Sequence, residues 1–229
     1  DDPDVGLAGV NLHYPAADGT RSRKIQHQGI RFAPDGALAF MRPYNVKTGP
    51  AAGHQHAEVA AVTTALAACR RDDFEAVGGF LEDYDYGFED VDLALRFRRE
   101  LNRKNILCTG LAAIHTEFGS QRRQSKRLLH SRRKANAMVF RDCHNRWLTR
   151  AVVRSQLNGG FWHLKSLRVR VPPAMATDLG GLAPARGDVE LLPMAGATPD
   201  TQPGFCGIWL LDDPNELRSH MAPRSALTV

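Results

Sequence analysis

Nothing in this chain is long and apolar enough to cross a bilayer as a helix: a run of about 18 apolar residues is missing from the whole sequence. CxxC spacing is missing too. The four cysteines, Cys69, Cys108, Cys143 and Cys206, stand far apart. That excludes a zinc ribbon and a disulfide scaffold, and points to reduced thiols in a cytoplasmic setting. There is no internal repeat, no Gly-rich phosphate loop and no secretory signal. The opening Asp1-Asp2-Pro3-Asp4 is acidic and has no initiator Met, so the expectation is a piece of something longer or a processed product.

What is present suffices for a folded domain. With 229 residues, 43% of them hydrophobic and 24% charged, the chain can build a core, which excludes disorder as the general answer. The length fits one good-sized domain, or one domain with an appendage.

Charge is concentrated in one segment. Residues 121 to 154 hold eleven Arg or Lys against a single acid, Asp142, for a net charge of +10. The formal total of +5 then leaves −5 for the rest of the chain. Such a patch faces nucleic acid, anionic lipid or a phosphate-bearing ligand, or is simply a solvated helix face. It lacks the aromatic interleaving of a single-strand platform, so nucleic acid is not expected. Leu128, Leu129, Phe140, Trp147 and Leu148 among the basic residues suit contact with a membrane surface.

Along the chain, Val5–Tyr14 and Ile25–Ala33 read as strands, each closed by a turn at Pro15 to Gly19 or Pro34 to Gly36. Met41 to His56 reads as a loop. Ala60–Arg70 is apolar and is either a buried strand or a helix. Asp72 is placed to cap a short helix, with Glu75 as its capping-box partner and Gly78-Gly79 as the stop. Phe88–Asn102 reads as a helix with Val91, Ala94, Leu95 and Leu101 on one face, and Ile106–His115 as a strand. In the basic segment, Leu128, Ala135, Val139, Cys143 and Trp147 recur at helical spacing. From Pro172 onward lie eight of the thirteen prolines and six glycines, which predicts a linker or loosely ordered tail.

Residues 78 to 92 carry six acids, four aromatics and three glycines. Acids this crowded beside apolar surface push at least one pKa upward, which is what a general base needs. Glu89-Asp90 stands where loop turns into helix. The pair reads either as an ordinary acidic helix N-terminus or as a base oriented by backbone donors.

The run Val62-Thr63-Thr64-Ala65, then Arg70-Arg71-Asp72-Asp73-Phe74-Glu75-Ala76-Val77-Gly78-Gly79-Phe80, then Phe88-Glu89-Asp90-Val91-Asp92-Leu93-Ala94-Leu95-Arg96 resembles family 2 glycosyltransferases. The likeness spans about residues 1 to 120. It implies an α/β fold of the GT-A (Rossmann-like) kind, here the acceptor-side half, and an inverting transfer from a nucleotide-sugar to a glycan or lipid-linked acceptor. Asp90 matches the catalytic base and Glu89 an acceptor-orienting residue, with Asp92 on the substrate side. His115 matches a histidine that in some relatives binds the divalent metal, Mg²⁺ or Mn²⁺, or the diphosphate. Thr63 and Thr64 fall on a small-residue segment near the acceptor cleft, where a packing role is expected. Gly78 and Gly79 would allow the turn that aims the acidic loop.

Beyond the matched motif, Arg122 and Arg123 are expected to offset leaving-group phosphate charge, which is a chemical inference. Asp83-Tyr84-Asp85 and Asp90-Val91-Asp92 are literal Asp-x-Asp sequences, but neither follows the hydrophobic strand that delivers the family's metal motif. The donor-binding half with that motif is not found in the sequence. The division expected is residues 1–120 as the transferase half, 121–171 as a basic helical extension and 172–229 as the tail. A non-catalytic glycan- or protein-binding module, or a basic-helix binder of nucleic acid or a membrane surface, is the alternative, and the expected place of work is the cytoplasm, including the cytoplasmic face of a membrane.

Overall fold

In a computed structural model of the chain, the residues described are 2–35, 40–47, 56–85, 87–116, 125–157, 162, 167–171, 189–193, 207–209 and 226–228. The fold is mixed α/β. Its strands are β1 (Val5–Pro15), β2 (Arg21–His27), β3 (Ile30–Asp35), β4 (Phe40–Asn45), β5 (Ala57–Val59), β6 (Ala67–Cys69), β7 (Lys104–Ile114), β8 (Leu167–Val171), β9 (Val189–Pro193), β10 (Gly207–Trp209) and β11 (Ala226–Thr228). Its helices are α1 (Arg71–Ala76), α2 (Glu89–Leu101) and α3 (Lys126–Leu157), with a 3₁₀ turn at Thr64–Leu66. Two units divide the chain: Asp1–Arg31 with Pro43–Cys143, and Phe32–Arg42 with His144–Val229.

The first unit is built on β1. One edge of β1 runs parallel to β7, from Val5 opposite Lys104 to His13 opposite Ile114. The other edge is shared by two antiparallel partners: β6 pairs with Leu7 to Gly9, and β2 with Leu12 to Pro15. β5 closes the far side of β7. α2 lies against β1 and β7. Its Val91, Leu93, Ala94, Leu95 and Phe97 are buried together with Leu7, Leu12, Val62 and Leu107; each of these but Ala94 contributes about 1.5–3 kcal/mol. The start of the chain is tied down by Arg70, whose guanidinium donates to the carbonyls of Asp2, Pro3 and Val5 and pairs with Asp73 at 2.8 Å. Arg103 reaches the same carboxylate at 3.2 Å. Burial pushes the Asp73 carboxyl up, and the two guanidiniums more than offset this and hold it below the usual range.

In the second unit, Phe32 N–H donates to the Trp162 carbonyl, and Met41 N–H to Asn145 Oδ1. Trp162 packs on Trp147 with ring centroids 6.5 Å apart. Phe32, Phe40, Met41, Leu148 and Val152 are sealed from solvent. The strands of this unit pair in the order β11-β10-β8-β9, all parallel. The segment after Pro172, expected to be loosely patterned, thus contributes three strands among its described residues.

Several expectations need correcting. The strand foreseen over Ile25–Ala33 breaks in two at Gly29, whose φ of 87° lies in the left-handed region. The loop foreseen from Met41 contains β4, in which Pro43 sits within a two-stranded sheet with no central ladder to interrupt. Ala60–Arg70 is neither one strand nor one helix; it divides into the 3₁₀ turn and β6. Arg70, not Asp72, is the N-cap of α1, and no side chain caps it. Gly78 and Gly79 do end α1, with φ of 78° and 68°.

α2 is bounded by two non-glycine residues in left-handed conformation, Phe88 with φ 79° and Asn102 with φ 53°. In α3 the apolar face differs from the one foreseen. Leu128, Ala135 and Cys143 are exposed, whereas Asn136, Ala137, Phe140, His144 and Leu148 are buried. The foreseen spacing of four and seven was met by residues one position away. Among the described residues, no helix is long and apolar enough to cross a membrane.

Candidate functional site

The acidic loop between α1 and α2 is held from beneath by a buried charge pair. Arg96 of α2 stands 2.7 Å from Asp92, one turn earlier, and both are nearly inaccessible. The same guanidinium donates to the carbonyls of Val77 and Gly79, at 2.5 and 2.6 Å. The end of α1 is thereby tied to the middle of α2. Tyr84 adds a third element, its hydroxyl donating to Asp92 Oδ1 at 3.3 Å. Burial, with the negative charge of Asp92, drives the Tyr84 phenol far above its ordinary pKa.

From above, the loop is held by α3. Asn136 Oδ1 accepts from Asp85 N–H at 3.4 Å, and its Nδ2 donates to the Gly87 carbonyl at 3.1 Å. Phe140 lies beneath the ring of Phe88, with centroids 5.2 Å apart. Arg132 pairs with Asp85 at 3.0 Å. This support carries a strained residue: a left-handed φ at a bulky side chain costs on the order of 1–3 kcal/mol, and Phe88 is the residue that turns the chain into α2.

That turn presents Glu89 and Asp90 at the start of α2. Asp90 accepts from Val91 N–H at 2.8 Å, and the Thr63 hydroxyl and Thr64 N–H stand close enough to favour its charged form. Burial pushes its carboxyl up, and these donors pull part of the way back. The Glu89 carboxyl is also raised, first by burial and further by the negative charge of Asp90. Glu89 Oε2 is buried and has no hydrogen-bond partner among the described residues. Two adjacent carboxylates with raised pKa, one braced and one with an unused oxygen, form a pair suited to take a proton from a hydroxyl.

Thr63 is itself fixed. Its N–H donates to His27 Nε2 at 3.3 Å, and the N–H of Gly29 donates to the same nitrogen at 3.2 Å. His27 Nδ1 lies 2.8 Å from Asn45 Oδ1. An imidazole nitrogen that accepts from two amides carries no proton, so the proton of His27 is on Nδ1 and is donated to Asn45. Burial lowers the His27 pKa and keeps this tautomer uncharged.

The foreseen site residues separate into three groups. Glu89 and Asp90 come together with Thr63 and Thr64, which stand beside the Asp90 carboxylate and favour its charged form. Asp92 is corrected: it is wholly buried in its pair with Arg96 and offers no surface to a substrate. His115 is half-buried at the end of β7, its Nδ1 2.9 Å from Gln26 Oε1. No group of three His, Cys, Asp or Glu side chains able to hold a metal occurs among the described residues. They therefore supply His115 alone and do not by themselves make a metal site. Arg122 and Arg123 lie outside the described residues. Asp85 is exposed and paired with Arg132.

His27, Asn136 and Arg96 were not foreseen as parts of this site. His27 stands between two glutamines and Asn136 in a basic segment, and neither setting is a strong signal in a sequence. No family model matches this chain, and no curated protein or solved structure matches it. The site rests on its own residues.

Proposed function

We propose that this chain carries the acceptor-side machinery of an inverting glycosyltransferase with a GT-A-like fold. The observation that carries the reading is Asp90, a carboxylate with raised pKa at the start of α2, braced by Thr63 and Thr64 and adjacent to Glu89 with its unpartnered oxygen. The mixed sheet with α2 laid across β1 and β7 is compatible with that architecture.

In the proposed reaction an acceptor hydroxyl gives its proton to Asp90. Its oxygen forms a bond to the anomeric carbon of a nucleotide-sugar, and the bond from that carbon to the diphosphate breaks from the opposite face. The nucleoside diphosphate leaves with the electron pair, and configuration inverts. Glu89, half-buried beside Asp90, helps to orient the acceptor. The divalent metal implied by the resemblance would neutralise the diphosphate, with His115 as the ligand candidate among the described residues. The exposed basic residues of α3, among them Arg127, Lys134, Arg146, Arg150 and Arg154, would place the enzyme beside an anionic membrane surface bearing a lipid-linked acceptor.

The test is nucleoside diphosphate release from UDP-, GDP- and dTDP-sugars with glycan and lipid-linked acceptors. Loss of a general base lowers the rate by about 10²–10⁴-fold, which is the result expected of Asp90→Asn, with Asp83→Asn as the control. Full activity in Asp90→Asn would refute the assignment. Glycan binding without any donor turnover, unchanged in Asp90→Asn, would favour a non-catalytic binding module.

A further inference from the structure

His27 shares no bond with Asp90, yet Thr63 stands between them, its backbone bonded to one and its hydroxyl beside the other. Asn45 Oδ1 accepts the Nδ1 proton of His27. His27 Nε2 accepts from Thr63 N–H. The Thr63 hydroxyl oxygen accepts from Ala65 N–H at 3.4 Å, so its own proton is free to point at Asp90, whose charged form it favours. Every link lies in the first unit. Thr63 is also the N-cap of the 3₁₀ turn, extended at φ −76° and ψ 145°, and the backbone bond to His27 holds that conformation.

We infer that His27 is a positioning residue for Asp90: by accepting from the Thr63 backbone it fixes the Thr63 hydroxyl as a donor to the carboxylate. It thereby sets which way the carboxylate faces and how readily it takes a proton. The catalytic meaning of this inference rests on the reading of Asp90 as base, but the linkage itself does not. The device needs an uncharged ring. A proton on Nε2 would turn an acceptor into a donor facing two amides, Gly29 and Thr63. The groups that bear on His27 are its burial, Asn45 and those two amides, and no charged neighbour contributes to its lowered pKa.

The experiment follows the carboxyl carbon of Asp90 by NMR across a pH titration, in protein labelled at aspartate, with Asp90→Asn to assign the signal. Thr63→Val removes a hydrogen bond to the ionised form and is expected to raise the Asp90 midpoint by about one pH unit. His27→Leu, if it acts through Thr63, shifts the midpoint the same way, and His27→Gln, which restores an acceptor oxygen, returns it toward the native value. The double variant His27→Leu with Thr63→Val goes no further than Thr63→Val alone, because linked sites are not additive. A merely structural role for His27 would move stability but not give this pattern. A folded His27→Leu protein with the native midpoint, or additive shifts in the double variant, overturns the inference.

Should His27→Leu not fold, His27→Met replaces it, since a flexible thioether fills the same space and accepts only weakly. An upward shift is expected, and an unchanged midpoint overturns the inference. No transfer activity is needed for the readout. A non-additive cycle in a chain with no transferase activity would uphold the linkage and dismiss the base; the converse result would do the reverse.

Discussion

Arg96 Nη2 stands 2.7 Å from Asp92 Oδ2, and the two side chains are 5% and 0% exposed. A pair this deep stabilises little when both partners are present, because desolvation offsets their attraction. Removing one partner leaves a buried charge and costs about 3–5 kcal/mol. Asp92→Ala is therefore expected to destabilise the chain by that amount in urea unfolding. Arg96→Lys is expected to be nearly as damaging, since an ammonium cannot span Asp92 and the carbonyls of Val77 and Gly79 together. A loss below about 1 kcal/mol in either would mean that the pair does not hold the loop.

Asn136 makes a different kind of support. It is 2% exposed and bonds Asp85 N–H and the Gly87 carbonyl with the two ends of one amide. Asn136→Ala leaves both backbone groups without a partner, at about 1–3 kcal/mol. Hydrogen exchange at the Asp85 amide is expected to quicken well beyond that at amides in the middle of β1. Equal protection in variant and native chain would count against the latch.

The Arg132–Asp85 pair is the control for both. Its side chains are 35% and 61% exposed, where ion pairs contribute about 0–1 kcal/mol. Asp85→Asn is expected to leave the unfolding midpoint almost unchanged, and its small effect should vanish in high salt.

The two raised carboxyls give stability a pH dependence of definite sign. A carboxyl whose folded-state pKa lies above its unfolded value favours folding below the unfolded value. That contribution is lost as pH rises through the folded-state pKa. Burial raises Glu89, so the charged native side chain weakens the fold at neutral pH. Glu89→Gln is expected to raise the urea midpoint at pH 7, and the advantage should fade towards about pH 4, near the unfolded glutamate value. An advantage that grows on acidification would mean that the shift has the opposite sign.

The regular elements of the first unit were largely legible in the sequence. β1, α2 and β7 stood within a residue or two of their expected bounds, because each has an apolar pattern flanked by polar or turn residues. What could not be read was set by distant partners. Asp92 looks like any acid of the motif until Arg96 and Tyr84 are seen to enclose it. Thr63 looks like filler until Asp90 arrives from 27 positions away. In α3 the buried positions recur every four residues one place along from the apolar ones expected, and the polar Asn136 and His144 sit where an apolar residue would be guessed. The loop foreseen around β4 failed for a related reason: Phe40 and Met41 are core residues followed by a proline, and the proline masked the strand.

The two left-handed residues that bracket α2 make its length a fixed quantity. Helices commonly gain or lose a turn at their ends at little cost, but α2 can lengthen only if Phe88 leaves its seat on Phe140 or if Asn102 reverses. Its thirteen residues therefore act as a ruler. One end sets where Glu89 and Asp90 stand relative to Thr63, and the other sets where Lys104 begins its ladder with Val5 on β1. Insertion of a single residue within α2 would rotate the carboxylates by about 100° while the sheet stayed in place, so the helix would lose its aim.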